Sequence, residues 1–133
     1  MSDGYLRNRH FYQDVAGTGT VDSGDTEVSL VPTLGSVDGN LQTIFVQRGT
    51  LTVLNAGDPG TTWTLGDDQS AFITEDYAVG PDDARSYAFD FGAQGRALTE
   101  GAAFIVTCSA AGATGLISFE AYRKLTGVGA AQP

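Results

Sequence analysis

Apolar and polar positions alternate along much of this chain with a period of two, the spacing of a strand with one face buried. Leu51 and Val53 fall on one side while Thr50 and Thr52 fall on the other. Tyr87, Phe89 and Phe91 alternate with Ala88 and Asp90, and Ile117, Phe119 and Ala121 with Ser118, Glu120 and Tyr122. Further strands are expected over Glu27–Pro32, Leu41–Arg48, Thr50–Asn55, Thr61–Leu65, Ser70–Thr74 and the apolar run Ala103–Ser109. Gly49, Asp58-Pro59-Gly60, Gly66-Asp67-Asp68 and Ala110–Ala113 read as the breaks between them. The last two strands read as a closing hairpin. No window carries a sustained helical stripe with caps. The pattern therefore predicts an all-β fold. It is a single antiparallel β-sandwich of about eight strands, jelly-roll or immunoglobulin-like, with a barrel as the other closed arrangement.

The ends read differently. Residues 1–20 are expected to form an extended N-terminal arm, with Ala16–Thr20 as a flexible joint. Residues 21–124 form the sandwich, and 125–133 a flexible C-terminal tail. The arm mixes apolar and basic side chains: Leu6, Arg7, Arg9, His10, Phe11 and Tyr12. That mixture suits docking onto another protein, especially an acidic one, and these six residues are the candidate partner-binding site.

Composition narrows the function classes. The 133 residues hold 7 Lys and Arg against 16 Asp and Glu, a net charge of −9. Clustered positive charge for nucleic-acid phosphates or an anionic membrane is missing, so neither partner is expected. The single cysteine, Cys108, excludes an intrachain disulfide and any zinc site with several thiolates, and its apolar surroundings mark it as core. No apolar stretch reaches the roughly 20 residues of a membrane span, and no signal peptide is visible, so synthesis in the cytoplasm is expected.

The search for reactive groups is mostly elimination. The one histidine, His10, lies in the arm without a fixed partner, so a nucleophilic triad is not expected. Gly17-Thr18-Gly19 has no helix after it to present amides to a phosphate. The doublets Asp67-Asp68, Glu75-Asp76 and Asp82-Asp83 have the oxygen chemistry for calcium. Their spacing does not fit an EF-hand, and Asp is an ordinary turn residue, so solvated loops without a metal are expected. The aromatics Phe45, Trp63, Phe72, Tyr87, Phe89, Phe91, Phe104 and Phe119 are expected in the core. Tyr77 and Tyr122 are the candidates for an exposed stacking platform, as in a carbohydrate-binding module using the loops between Asp67 and Asp83. No catalytic residue and no cofactor are expected.

The segment from Leu98 to Tyr122, with Gly101 before a strand, a small-residue turn at Ala110–Ala113 and Phe119-Glu120 in the last strand, resembles the end of small tailed-phage virion proteins. Gly49–Gly57 is similar to another stretch of them, and the likeness spans roughly Val21 to Lys124. The overall form resembles bacteriophage head decoration, or cement, proteins. The resemblance implies a virion protein on the outer capsid surface, often a homotrimer, that stabilises the capsid by bridging subunits of the major capsid protein. A tail or head-fibre component is the neighbouring expectation within viruses.

Overall fold

The computed structural model describes residues 12–32, 41–67 and 77–125. The candidate strand Ser70–Thr74, Phe72 and arm residues Leu6 to Phe11 lie outside them. The described residues contain ten strands and no helix. They are β1 (Tyr12–Asp14), β2 (Gly17–Val21), β3 (Glu27–Val31), β4 (Gln42–Asn55), β5 (Thr61–Asp67), β6 (Tyr77–Val79), β7 (Arg85–Asp90), β8 (Arg96–Ala97), β9 (Phe104–Cys108) and β10 (Thr114–Leu125).

Two antiparallel sheets face each other. In the first, β10 and β4 are the central strands. β1 and β2 lie end to end along β10, while β7 and β8 lie end to end along β4. The second runs β3-β9-β5-β6. Counting each end-to-end pair as one interrupted strand leaves eight, and successive strands then change sheet at every step except β5 to β6. This winding is a jelly roll, which selects between the two sandwich types expected.

The core follows from the alternation. Leu51, Val53, Ile117, Phe119 and Phe89 from the first sheet meet Trp63, Leu65, Phe104 and Val106 from the second, all buried. Several glycines on the inner side of the first sheet make room for large neighbours. A side chain at Gly115 would come within 3.1 Å of Trp63, and one at Gly19 within 2.4 Å of Leu30. Gly49 is covered by Phe89, whose ring would lie 2.5 Å from an added Cβ.

Three expectations change here. Gly49 does not break the chain: β4 is one strand of 14 residues, because the glycine gives space to Phe89 and makes no turn. Its irregularities are bulges at Gln47, between Arg48↔Glu120 and Val46↔Ala121, and at Leu54, between Val53↔Gly115 and Asn55↔Thr114. Second, Ala16–Thr20 is not a joint, since Gly17–Val21 pairs with Gly115–Phe119. Among the described residues the sheet thus starts at Tyr12, inside the segment expected to be arm. Third, β9 and β10 form no hairpin. They belong to opposite sheets, and the link between them is tied to other elements by Ser109 N–H to Thr62 O (2.9 Å) and Gly112 N–H to Ser23 O (2.5 Å). Both strands bury an apolar face, and both faces are satisfied across the sandwich, not side by side.

Candidate binding surface

Of the six candidate partner-binding residues, only Tyr12 lies among the described ones. It opens β1 and pairs with Lys124, while Gln13 pairs with Arg123 and Asp14 with Tyr122. β1 is thus fixed along the outer side of β10, at the end of the sandwich where β10 finishes. Residues 1–11, which precede Tyr12, lie outside the described residues.

Basic side chains gather at this end. Lys124 Nζ lies 4.9 Å from the centre of the Phe45 ring, and Phe45 stacks on Tyr122 at 5.0 Å. Arg123 Nε donates to Gln13 Oε1 (3.0 Å), and partial burial holds the guanidinium below its ordinary pKa. Arg96 sits over the Phe91 ring at 5.8 Å. The opposite end carries Asp22, Asp25, Asp58, Asp82 and Asp83 on loops held together through their backbones. Asp82 N–H donates to Gly57 O (2.8 Å) and Ala56 N–H to Asp83 O (3.0 Å). Asp82 itself takes a left-handed φ of 56°, which Asp tolerates better than most residues. The two ends therefore differ in charge: Arg96, Arg123 and Lys124 share the first with Asp14, Asp67 and Glu100, whereas the second carries these five aspartates together with Arg85.

Among the described residues, the members of the acidic doublets do not converge. Asp67 ends β5 opposite Phe104, whereas Asp82 and Asp83 follow β6, which pairs with the start of β5 at Thr61. They occupy opposite ends of the sandwich. Asp67 is buried and accepts the Thr99 N–H at 2.8 Å, so it serves as an anchor for the segment before β9. Asp68, Glu75 and Asp76 lie outside the described residues. Among the described residues no three His, Cys, Asp or Glu side chains are grouped to hold a metal ion.

The tyrosine platform is not formed either. Tyr122 is 6% exposed despite its outward register, because it stacks on Phe45 and its hydroxyl donates to Gln94 O. Tyr77 is on the other sheet and stacks on Tyr87 at 4.1 Å. Phe45, Tyr87 and Phe91 are half-buried, not core, whereas Trp63, Phe89, Phe104 and Phe119 are buried as expected. Cys108 is buried, with its thiol donating to Ala110 O.

What sequence reasoning missed is the row of charge across the first sheet. Arg48 reaches Glu120 (2.7 Å) on β10 and lies 3.7 Å from Asp90 on β7, and the bond to Glu120 raises its pKa. Two open hollows of about 310 and 340 Å³ flank Arg48, floored in part by Gly49. Each is too open to enclose a small molecule as ligand pockets do. The sequence signal for this row was weak, since the three charges are 30 or more positions apart and meet only through strand register.

No protein family and no curated protein matches this sequence. Among solved structures, the chain is similar to the giant freshwater prawn Macrobrachium rosenbergii extra small virus (XSV) VLP, at 11% identity and a TM-score of 0.42. The match covers 84% of this chain and 79% of that one. A likeness this loose carries no functional information, and the winding of the two sheets stands without it.

Proposed function

We propose that this chain is a non-enzymatic virion protein that decorates the outer surface of a phage capsid and stabilises it by bridging subunits of the major capsid protein. The observation that carries the reading is the fixing of β1 beside β10. It sets the root of the segment holding Leu6, Arg7, Arg9, His10 and Phe11 on a stiff body, at the end that already carries Arg96, Arg123 and Lys124. A segment anchored this way reaches a neighbouring subunit while the sandwich stays in place, and contacts repeated over a lattice multiply modest affinities. Jelly rolls serve capsids, lectins and enzymes alike, so the fold itself does not choose among them. The split of Tyr77 from Tyr122 removes the support for a sugar platform.

The test is cosedimentation with purified phage heads stripped of decoration. The full chain should pellet with the heads and raise the temperature at which they release DNA. A chain lacking residues 1–11, which keeps β1 whole, should melt as the full chain does and stay in the supernatant. Heads that retain the shortened chain at full occupancy would remove the arm from this role.

A further inference from the structure

Two phenol rings meet face to face where the sheets come together at one side of the sandwich. Tyr77 opens β6, at the edge of the second sheet, and Tyr87 lies in β7, at the edge of the first. Tyr77 pairs with Trp63 and Tyr87 with Leu51, both core residues, so the two rings share the inward side. Their centres are 4.1 Å apart and their planes 11° from parallel. Aromatic pairs in proteins more often keep their centres about 4.5–7 Å apart. The Tyr87 hydroxyl donates to Ala78 O at 2.8 Å, which holds its ring against β6. Both tyrosines are half-buried, so small molecules in solvent reach them. Tyr122, by contrast, is 6% exposed and stacks on Phe45, a ring without a hydroxyl.

We infer that Tyr77 and Tyr87 are a site of oxidative cross-linking, where a peroxidase-type one-electron oxidant working with hydrogen peroxide joins the two rings as dityrosine. Each phenol gives up one electron and its hydroxyl proton and becomes a phenoxyl radical. The unpaired electron is shared with the ring carbons next to the one that bears oxygen. One such carbon of each ring forms the new carbon–carbon bond. The hydrogen on each of these carbons then passes as a proton to the oxygen of its own ring, which restores both aromatic rings and both hydroxyls. Two electrons and two protons leave in all, and they reduce one hydrogen peroxide to two waters. The stacking favours this pair over a chance encounter. A radical on either ring has its partner already in contact, so the coupling is intramolecular and needs no second chain. Rings joined by a single bond sit about as far apart, centre to centre, as these two do when stacked, so they need to turn more than to travel. The product staples the edge strands of opposite sheets across ten positions of sequence. It fastens β6, a strand of three residues whose ladder is with β5, to the first sheet. Like a disulfide, such a link removes freedom from the unfolded chain. Nothing in this rests on capsid binding.

Treatment of the dilute full chain with a haem peroxidase and hydrogen peroxide tests it. The parent should gain the blue fluorescence of dityrosine and lose two hydrogen atoms in its intact mass, while still running as one chain on a denaturing gel. Digestion should release the Tyr77 and Tyr87 peptides as a single species. Tyr77→Phe and Tyr87→Phe keep both rings but remove one of the two phenols. Each should melt as the untreated parent does and lose nearly all of the product, whereas Tyr122→Phe should give as much product as the parent. The cross-linked chain should unfold at a higher temperature than the untreated one, and treated Tyr77→Phe should show no such rise. A parent that forms no intramolecular product, while free N-acetyltyrosine couples in the same mixture, overturns the inference. So does a product that persists in either Tyr77→Phe or Tyr87→Phe, or one that maps to another pair of tyrosines. A cross-linked chain that melts no higher than the untreated one would overturn the stapling of the two sheets.

Discussion

The outer faces of the two sheets differ around Ile105 and Ser118. On the first, the outward positions Thr50, Thr52, Leu116, Ser118 and Glu120 are exposed or half-exposed and alternate with buried inward ones, and burial on the outward side is confined to Tyr122 and Thr43 near the end of β10. On the second, Phe104, Ile105 and Val106 are all buried in succession, and Ile105 is only 5% exposed although it points away from the core between the sheets. It pairs with Gly66 and Ser29, and Gly66 is buried as well. Outward register therefore means solvent at Ser118 of the first sheet and burial at Ile105 of the second, whose other outward positions Thr62, Thr64 and Thr107 are half-exposed. Alternation is a guide to exposure only where nothing covers the far side.

The contrast breaks most sharply at Ile105. Ile105→Asp should cost on the order of 3 kcal/mol or more, since it buries a carboxylate and removes a packed side chain. Urea unfolding reads the loss directly, and a midpoint unchanged from the parent would mean that the second sheet is as open as the first. Gly49→Ala comes next, at about 1–3 kcal/mol by the same measurement. Its methyl group would meet Phe89 at 2.5 Å and the Ser118 carbonyl at 2.3 Å, and the carbonyl is backbone that cannot swing aside. Ser118→Asp has the same outward parity as Ile105 but lies on the first sheet. It should change stability by no more than about 0.5 kcal/mol. The smallest effect belongs to Arg48→Ala, because its ion pairs with Glu120 and Asp90 are exposed. Its melting temperature should equal the parent's at moderate salt, and a clear fall would show that the charged row holds the sheet together.

Much of the fold was legible in the sequence. The buried faces of β10 and β7 followed from alternation, with Ile117, Phe119 and Phe89 all in the core. Turn residues marked the end of β4 near Asp58-Pro59-Gly60. Two of the errors share one cause. Gly49, Gly17 and Gly19 read as breaks because glycine favours turns and joints. In the structure each lies in a strand, and an added side chain at Gly49 or Gly19 would strike Phe89 or Leu30. A contact between residues 40 positions apart leaves no local trace. The candidate site was legible only in part. Leu6 to Phe11 stood out by composition, but the fixing of Tyr12 beside Lys124 and the gathering of Arg96, Arg123 and Lys124 at that root required the register of β1 and β10.

The sequence by itself determined that the chain folds as strands, which side chains of β7 and β10 face the core between the sheets, and that the chain is strongly acidic. These depend on neighbours a few residues away and on bulk composition. The pairing of the strands belongs to the tertiary structure. It decided that β9 and β10 part to opposite sheets, that Asp67 and Asp82–Asp83 sit at opposite ends, and that Tyr77 of one sheet stacks on Tyr87 of the other. Burial of an apolar face is satisfied equally by a partner beside it or across from it. Only the closing of the whole core selects between the two.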